Sequence, residues 1–402
     1  MQTQQQWQQG TFNEGFIEGF IESFNEGFNE SFNVSYSAID TYQRCPRKYQ
    51  WAYQEGWTKA TYEASPASLG SAIHAGIAFC LHWFHQTGYD GNEENLRTMQ
   101  AFLHEFFEDW AEVNAPEEII IITSDGETIT DGAARQEFFQ MVDNAMVITL
   151  RTLDHLDVPN NWRTVELDGK PLIEYKDTVH LGSHLLTVEP LRELETTLTF
   201  QIDWVAQHIQ TGMVYVVDWK SRKTFQPNEY EQAIGGEDFN FQISLYAAAM
   251  EGLGVHVNGT ITYQIAPYVP EWPVLIKNGR VSKANIRSDW ATYSAAVRAN
   301  NESPADPYYE DMREKLDKQV WWSPVTIYRS EYELNKRWEW AQHWAYVMWD
   351  DAYSLPVENI MCRMCPFAQL CIGVDRDLDL DSIKEMGYTK KVGKEQKEVT
   401  DD

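Results

Sequence analysis

Residues 200–220 read FQIDWVAQHIQTGMVYVVDWK. The stretch lies inside two apolar, strand-like runs, TLTFQIDWVAQHI and MVYVVDWKSR. Asp218 and Lys220 are two residues apart, so on a strand they face the same side. Asp203 lies on the preceding run and can meet them across a hairpin. Two carboxylates at one site repel unless a cation sits between them. Oxygen donors suit a hard divalent ion such as Mg²⁺ or Mn²⁺. A lysine beside them can orient an attacking water or stabilise charge at a phosphoryl centre. Together these are parts for metal-assisted phosphodiester hydrolysis. An acid and a lysine at i, i+2 also arise by chance, and Asp203 alone could be a surface or turn residue.

Outward from this stretch the pattern is α/β. Helical spacing covers 68–87, closed by Gly88, then about 93–113 and 133–156, with a hairpin expected around Asp125-Gly126. Strands fill 171–225, a helix follows at 239–252 and a further strand at GTITYQIAPYV, while 281–350 reads as mostly helical. Ser37 and Asp40 have the spacing of a capping box. The order suggests a mixed α/β core with helical additions.

The net charge of −29 argues against a protein that coats nucleic acid by bulk attraction. It leaves room for an enzyme with bound cations and a local basic patch. No apolar run reaches the ~18 residues of a membrane span, and MQTQQQWQQG is no secretory signal. A soluble cytoplasmic protein is expected. From Phe12 to Phe32 a phenylalanine recurs every fourth residue. Each such step drifts about 40° around a helix, so no single stripe forms, and residues 1–33 read as a disordered low-complexity leader. Residues 376–402 read as a charged, flexible tail, leaving one domain over 34–375.

The five cysteines are Cys45, Cys80, Cys362, Cys365 and Cys371. Cys80 sits in AGIAFCLHWF and reads as a small buried hydrophobe. CRMCPFAQLC places Cys362, Cys365 and Cys371 for one compact metal site. Zinc is the ordinary occupant of C-x₂-C, although no second pair or His pair follows; iron–sulfur clusters use four thiolates with more varied spacing.

His74 lies in LGSAIHAGI, and Gln242 and Tyr246 share a helical face at i, i+4. The order His, Asp, Asp-x-Lys, Gln-x-x-x-Tyr resembles the RecB-like branch of the PD-(D/E)xK nuclease superfamily. SYSAIDTYQRCPRKYQWAY resembles the first helix of its iron–sulfur members, such as the AddB nuclease domain and the CRISPR-adaptation nucleases. The resemblance implies a restriction-endonuclease-like core, a mixed central sheet flanked by helices, with helical additions and an iron–sulfur cap. It implies that His74, Asp203 and Asp218 hold Mg²⁺ or Mn²⁺, with the Trp219 carbonyl as a further ligand. Lys220 would act on the nucleophilic water, and Gln242 and Tyr246 would position DNA or active-site side chains. Cys45, Cys362, Cys365 and Cys371 would bind a [4Fe–4S] cluster that ties the first helix to the last. His82 and His85 have no such support and read as structural. Many relatives carry Gly-Arg where this chain has Phe200-Gln201, so a phosphate contact made there by Arg is either missing or supplied from elsewhere, with Arg222 and Lys223 as candidates.

The expected activity is a DNA exonuclease on single strands or ends, in recombination, repair or replication. The size suits a phage or mobile-element protein of a prokaryotic host. The chain has no G-x-x-x-x-G-K-[S/T] loop, so a helicase would be a separate partner. Two rivals remain: a silent DNA-binding scaffold of this fold, and an acidic interaction protein.

Overall fold

The computed structural model describes residues 29–59, 66–115, 119–122, 128–131, 133–186, 192–222, 240–284, 286–351, 354–358 and 360–390. In chain order the main elements are β1 (Asn29–Val34), α1 (Tyr36–Arg44), α2 (Pro66–Gln86), α3 (Glu93–Asn114), α4 (Ala133–Leu156), β2 (Trp162–Thr164), β3 (Ile173–Leu186), β4 (Arg192–His208), β5 (Val214–Ser221), α5 (Phe241–Gly252), β6 (Gly259–Ile265), α6 (Trp290–Ala299), β7 (Trp322–Ile327), α7 (Glu331–Asp350), α8 (Ala368–Asp375) and α9 (Leu380–Gly387). The chain falls into two compact units.

The larger unit comprises Thr61–Tyr175 and Gln201–Leu334. Its sheet runs β2, β4, β5, β6, β7. Only the β5–β6 pair is parallel; the others are antiparallel. A parallel pair needs a crossover, and α5 lies in the connection and packs on both strands. Helices α2, α3 and α4 cover the face bearing Tyr215, Val217, Trp219, Ile261, Tyr263 and Ile265. That face shares one core with Ile73, Ile77 and Leu81 of α2, Leu103 and Phe107 of α3, and Ala145 and Ile148 of α4. Gly76 permits the tight approach of these helices: a Cβ there would lie 2.5 Å from the Phe107 ring and 2.7 Å from Thr149 Oγ1. The result is the expected mixed sheet flanked by helices. Strand β7 falls in the stretch read as mostly helical. Pro324 lowers its strand signal, yet proline is tolerated at a sheet edge, where β7 stands in the order.

The smaller unit comprises Met1–Ala60, Lys176–Phe200 and Asn335–Asp402. Strand β1 pairs in parallel with the first part of β4, from Asn29↔Glu193 to Val34↔Leu198. Ordered structure thus starts within the expected leader, where Phe32 and Val34 have strand spacing; residues 1–28 lie outside the described residues. Helix α1 is capped by Ser35, whose Oγ accepts from the Ala38 N–H at 3.2 Å, so the expected Ser37 cap is displaced by two residues. The tail is also partly folded. Tyr388–Lys390 pairs with Trp57–Lys59, and Trp51, Phe367, Leu370 and Tyr388 form a small core. Abundant charge around Leu380, Ile383 and Tyr388 obscured this packing in the sequence; residues 391–402 lie outside the described residues. Among the described residues no helix is long and apolar enough to cross a membrane.

Candidate active site

The β4–β5 hairpin joins the two aspartates. Its register, Val217↔Trp204 and Val216↔Val205, brings Asp218 opposite Asp203. The Trp219 N–H donates to Asp203 Oδ2 at 2.8 Å, a charge-assisted bond that fixes the carboxylate against the neighbouring strand. The hairpin closes through Gly212, whose φ of 70° is costly for other residues. The expected face-sharing of Asp218 and Lys220 is present: Lys220 Nζ lies 2.9 Å from Asp218 Oδ1 and 2.8 Å from Oδ2.

Helix α2 supplies His74. Its Nε2 lies 2.9 Å from the Trp219 carbonyl oxygen, and Nδ1 lies 3.5 Å from Asp203 Oδ2. As hydrogen bonds, Nε2–H donates to the carbonyl and, in the protonated imidazolium, Nδ1–H faces the Asp203 carboxylate. The spacing also suits neighbouring corners of an octahedral shell, which lie about 3 Å apart at Mg²⁺–ligand distances of about 2.1 Å.

Ligand atoms of His74, Glu174 and Asp203 lie within 4.8 Å of one another. One nitrogen and two carboxylate oxygens fit Mn²⁺ or Mg²⁺. Glu174 joins the expected His74 and Asp203 in this grouping, while Asp218 contacts Lys220 and the Trp219 carbonyl lies beside His74. Glu174 carried no motif in the sequence. Its signal is conformational: a φ of 46°, a left-handed backbone rare for a non-glycine residue and found disproportionately at functional sites. Gln201 Nε2 donates to Glu174 Oε2 at 2.5 Å and supports this carboxylate.

Burial pushes the Asp218 carboxyl up. Lys220 opposes the rise and Asp203 adds to it, for a value of about 6. Burial alone would lower His74, but the hydrogen bond and charge of Asp203, with Glu174 and Asp218, outweigh it and raise the value. The cluster therefore concentrates negative charge, which a cation would relieve.

On α5, Gln242 Nε2 donates to the Tyr246 hydroxyl at 3.2 Å, joining the two expected positioning residues on the helix that packs against β5 and β6. The Arg222 N–H donates to Ile265 O at 2.9 Å; Lys223 lies outside the described residues. His85 lies 3.3 Å from Glu166, in keeping with a structural role.

The smaller unit carries the four thiols, none of them in a disulfide. Cys45 ends α1, where its N–H donates to Thr41 O at 3.0 Å, and Pro46 opens the next turn. Burial raises the Cys371 thiol, and the nearby Cys365 and Cys45 add to it, so these three lie together. Trp51 Nε1 is buried without a full hydrogen bond among the described residues. Its N–H favours the Cys371 thiolate, a preference that suits a metal-bound sulfur. Cys362 is exposed, 3.7 Å from Val357 O.

The sequence profile of the PD-(D/E)XK nuclease superfamily matches residues 33–372, and the chain belongs to that superfamily. Its members are nucleases that use divalent metals such as Mg²⁺ or Mn²⁺. No curated protein matches the chain.

Proposed function

We propose that this protein is a metal-dependent deoxyribonuclease of the RecB/AddB type, an exonuclease acting on single strands or DNA ends in recombination, repair or replication. The observation that carries the reading is the hairpin that sets Asp203 beside the Trp219 N–H and Asp218 under Lys220, with His74 against the Trp219 carbonyl.

His74, Glu174 and Asp203 would hold the divalent ion, with Asp218 and the Trp219 carbonyl at its border. When bound, the ion supplies charge stabilisation at the phosphoryl oxygens and a more acidic water. Asp218 keeps the Lys220 ammonium in place, and Lys220 acts on the attacking water and the charge that develops at phosphorus. Gln242 and Tyr246 position the strand or the neighbouring side chains. Cys45, Cys362, Cys365 and Cys371 would bind a [4Fe–4S] cluster with a structural role, since these thiols belong to the smaller unit and the Asp/Lys set to the larger. The setting that suits this reading is the cytoplasm of a prokaryotic cell, with a separate helicase or recombination protein as partner and the gene carried by a phage.

Single-stranded DNA labelled at the 5′ or 3′ end, incubated with Mg²⁺ or Mn²⁺, tests the activity. Cleavage that disappears in Lys220→Ala at unchanged melting temperature is expected, and full activity in that variant overturns the mechanism. Products released stepwise from one end establish the exonuclease, whereas internal fragments point to an endonuclease.

A further inference from the structure

The parallel β5–β6 ladder carries the polar row of the site one strand further. Its register aligns Asp218 with Thr262, Trp219 with Tyr263 and Lys220 with Gln264. Partners in register point to the same side of a sheet. Trp219 and Tyr263 confirm this, since their rings meet at 5.4 Å within the helix-covered core. Gln264 therefore shares the opposite face with Asp218 and Lys220, on the strand next to theirs.

Gln264 is only 2 % exposed, and its Nε2 has no hydrogen-bond partner among the described residues. Leaving a buried amide donor unpaired is costly, and such groups commonly mark functional positions. Low exposure does not separate it from the chemistry, because Asp218 on the same face is 6 % exposed. The amide cannot donate to the neighbouring ammonium, which offers no lone pair. Two kinds of donor thus stand side by side, the Lys220 ammonium and the Gln264 N–H groups, and an oxygen bearing negative charge satisfies both.

We propose that Gln264 and Lys220 together form a seat for a non-bridging phosphate oxygen of the DNA strand, with Gln264 a substrate-contacting residue on the β6 side of the site. This rests on the nuclease reading above and extends the site by one strand. The β4 side holds the ion and the β6 side holds the backbone of the substrate. The row of donors and ligands then crosses the strands through Asp203, Asp218 with Lys220, and Gln264.

Gln264→Leu keeps the volume and removes the amide, so its melting temperature should equal or exceed that of the wild type. Cleavage of single-stranded DNA should fall about 100- to 1000-fold, the range for the loss of one oxyanion donor. A phosphorothioate at the scissile position should slow the wild type in one diastereomer, and that discrimination should shrink in Gln264→Leu. A purely structural glutamine would not move it. Binding of fluorescent single-stranded DNA with Ca²⁺ in place of Mg²⁺ separates the two proposals. If the wild type binds in Ca²⁺ yet does not cut when Mg²⁺ or Mn²⁺ replaces it, and Gln264→Leu binds several-fold more weakly, the nuclease reading fails and the seat stands. Wild-type binding, cleavage and sulfur discrimination in Gln264→Leu overturn the seat, as does an absence of DNA binding by the wild-type protein.

Discussion

The carboxylate site and the thiol site are built by different means. Asp203, Asp218 and Lys220 are placed by strand register, and the ladder that aligns them also carries the core residues Trp204, Val217 and Trp219. The thiols hang on short elements: Cys45 ends a nine-residue helix, Cys362 lies in a five-residue 3₁₀ segment, and Cys371 lies in an eight-residue helix. Donors on a sheet hold their positions before an ion arrives, because moving one means breaking a ladder. Thiols on short helices with a four-residue core would, on the cluster proposal, need the metal to complete the packing. The first site should therefore lose function without losing its fold, and the second should do the reverse.

Lys220→Ala gives the sharpest separation. Cleavage should fall at least about 1000-fold, about 4 kcal/mol in transition-state terms, while urea unfolding of the protein is unchanged. A large fall in stability would show that the site also serves as scaffold and would blur the contrast.

Cys365→Ser attacks the other side. The anaerobically purified wild type should be brown with four irons per chain, as a [4Fe–4S] cluster requires. The variant should be colourless, poorly soluble and less stable by several kcal/mol, in line with metal-dependent small folds. Stoichiometric zinc in a colourless wild type would replace the cluster with the ordinary C-x₂-C occupant. Unaltered stability in the variant would show that the small core folds without a metal.

How much of each site was legible follows from the same contrast. Register is local, so FQIDWVAQHIQTGMVYVVDWK revealed the hairpin, the facing aspartates and the shared face of Asp218 and Lys220. The ladder to β6 joins positions with a crossover between them, and nothing in GTITYQI flags Gln264 as neighbour to Lys220. Glu174 joins the candidate cluster from β3, and no motif in the sequence marks it. The folded part of the tail was missed because charge counting hides three apolar residues among many acids. Cys45 enters the proposed thiol set only through the resemblance of its helix to a known family; spacing alone left the fourth ligand open.

The pH dependence of the carboxylate site is the next test in size. The Asp218 carboxyl is raised to about 6, above its usual range near 3.9. Between those values the folded protein holds a proton that the unfolded chain releases, so this group's contribution is full below pH 4 and lost as pH rises through 6. Metal-free Asp218→Asn should then be more stable than the wild type at pH 8, by up to about 3 kcal/mol, with the difference vanishing near pH 4. Mg²⁺ should narrow the gap at pH 8 by offsetting the charge in the wild type alone. Urea titrations at pH 4, 6 and 8, with EDTA or Mg²⁺, read this directly. A variant less stable than the wild type at pH 8 would mean that the Lys220 contact outweighs burial.

The smallest effect falls on the thiol side and probes how loosely it is built. Ser35 accepts from the Ala38 N–H and opens the helix that delivers Cys45. Ser35→Ala removes one cap, which costs about 1 kcal/mol. The Tyr42 hydroxyl on the same helix donates to Asp351 at 2.8 Å, and Arg47 just beyond it donates to Ser354 O at 3.0 Å. These contacts keep the helix in place, so the loss stays confined to its first turn. Iron release to a chelator should quicken by a few-fold, following the greater fraying of the segment that carries Cys45, while the cleavage rate of the iron-loaded protein is unchanged. If cleavage falls in step with iron, the sheet site depends on the thiol site after all. Unchanged iron release would show instead that Cys45 is held by its helix packing and owes nothing to the cap.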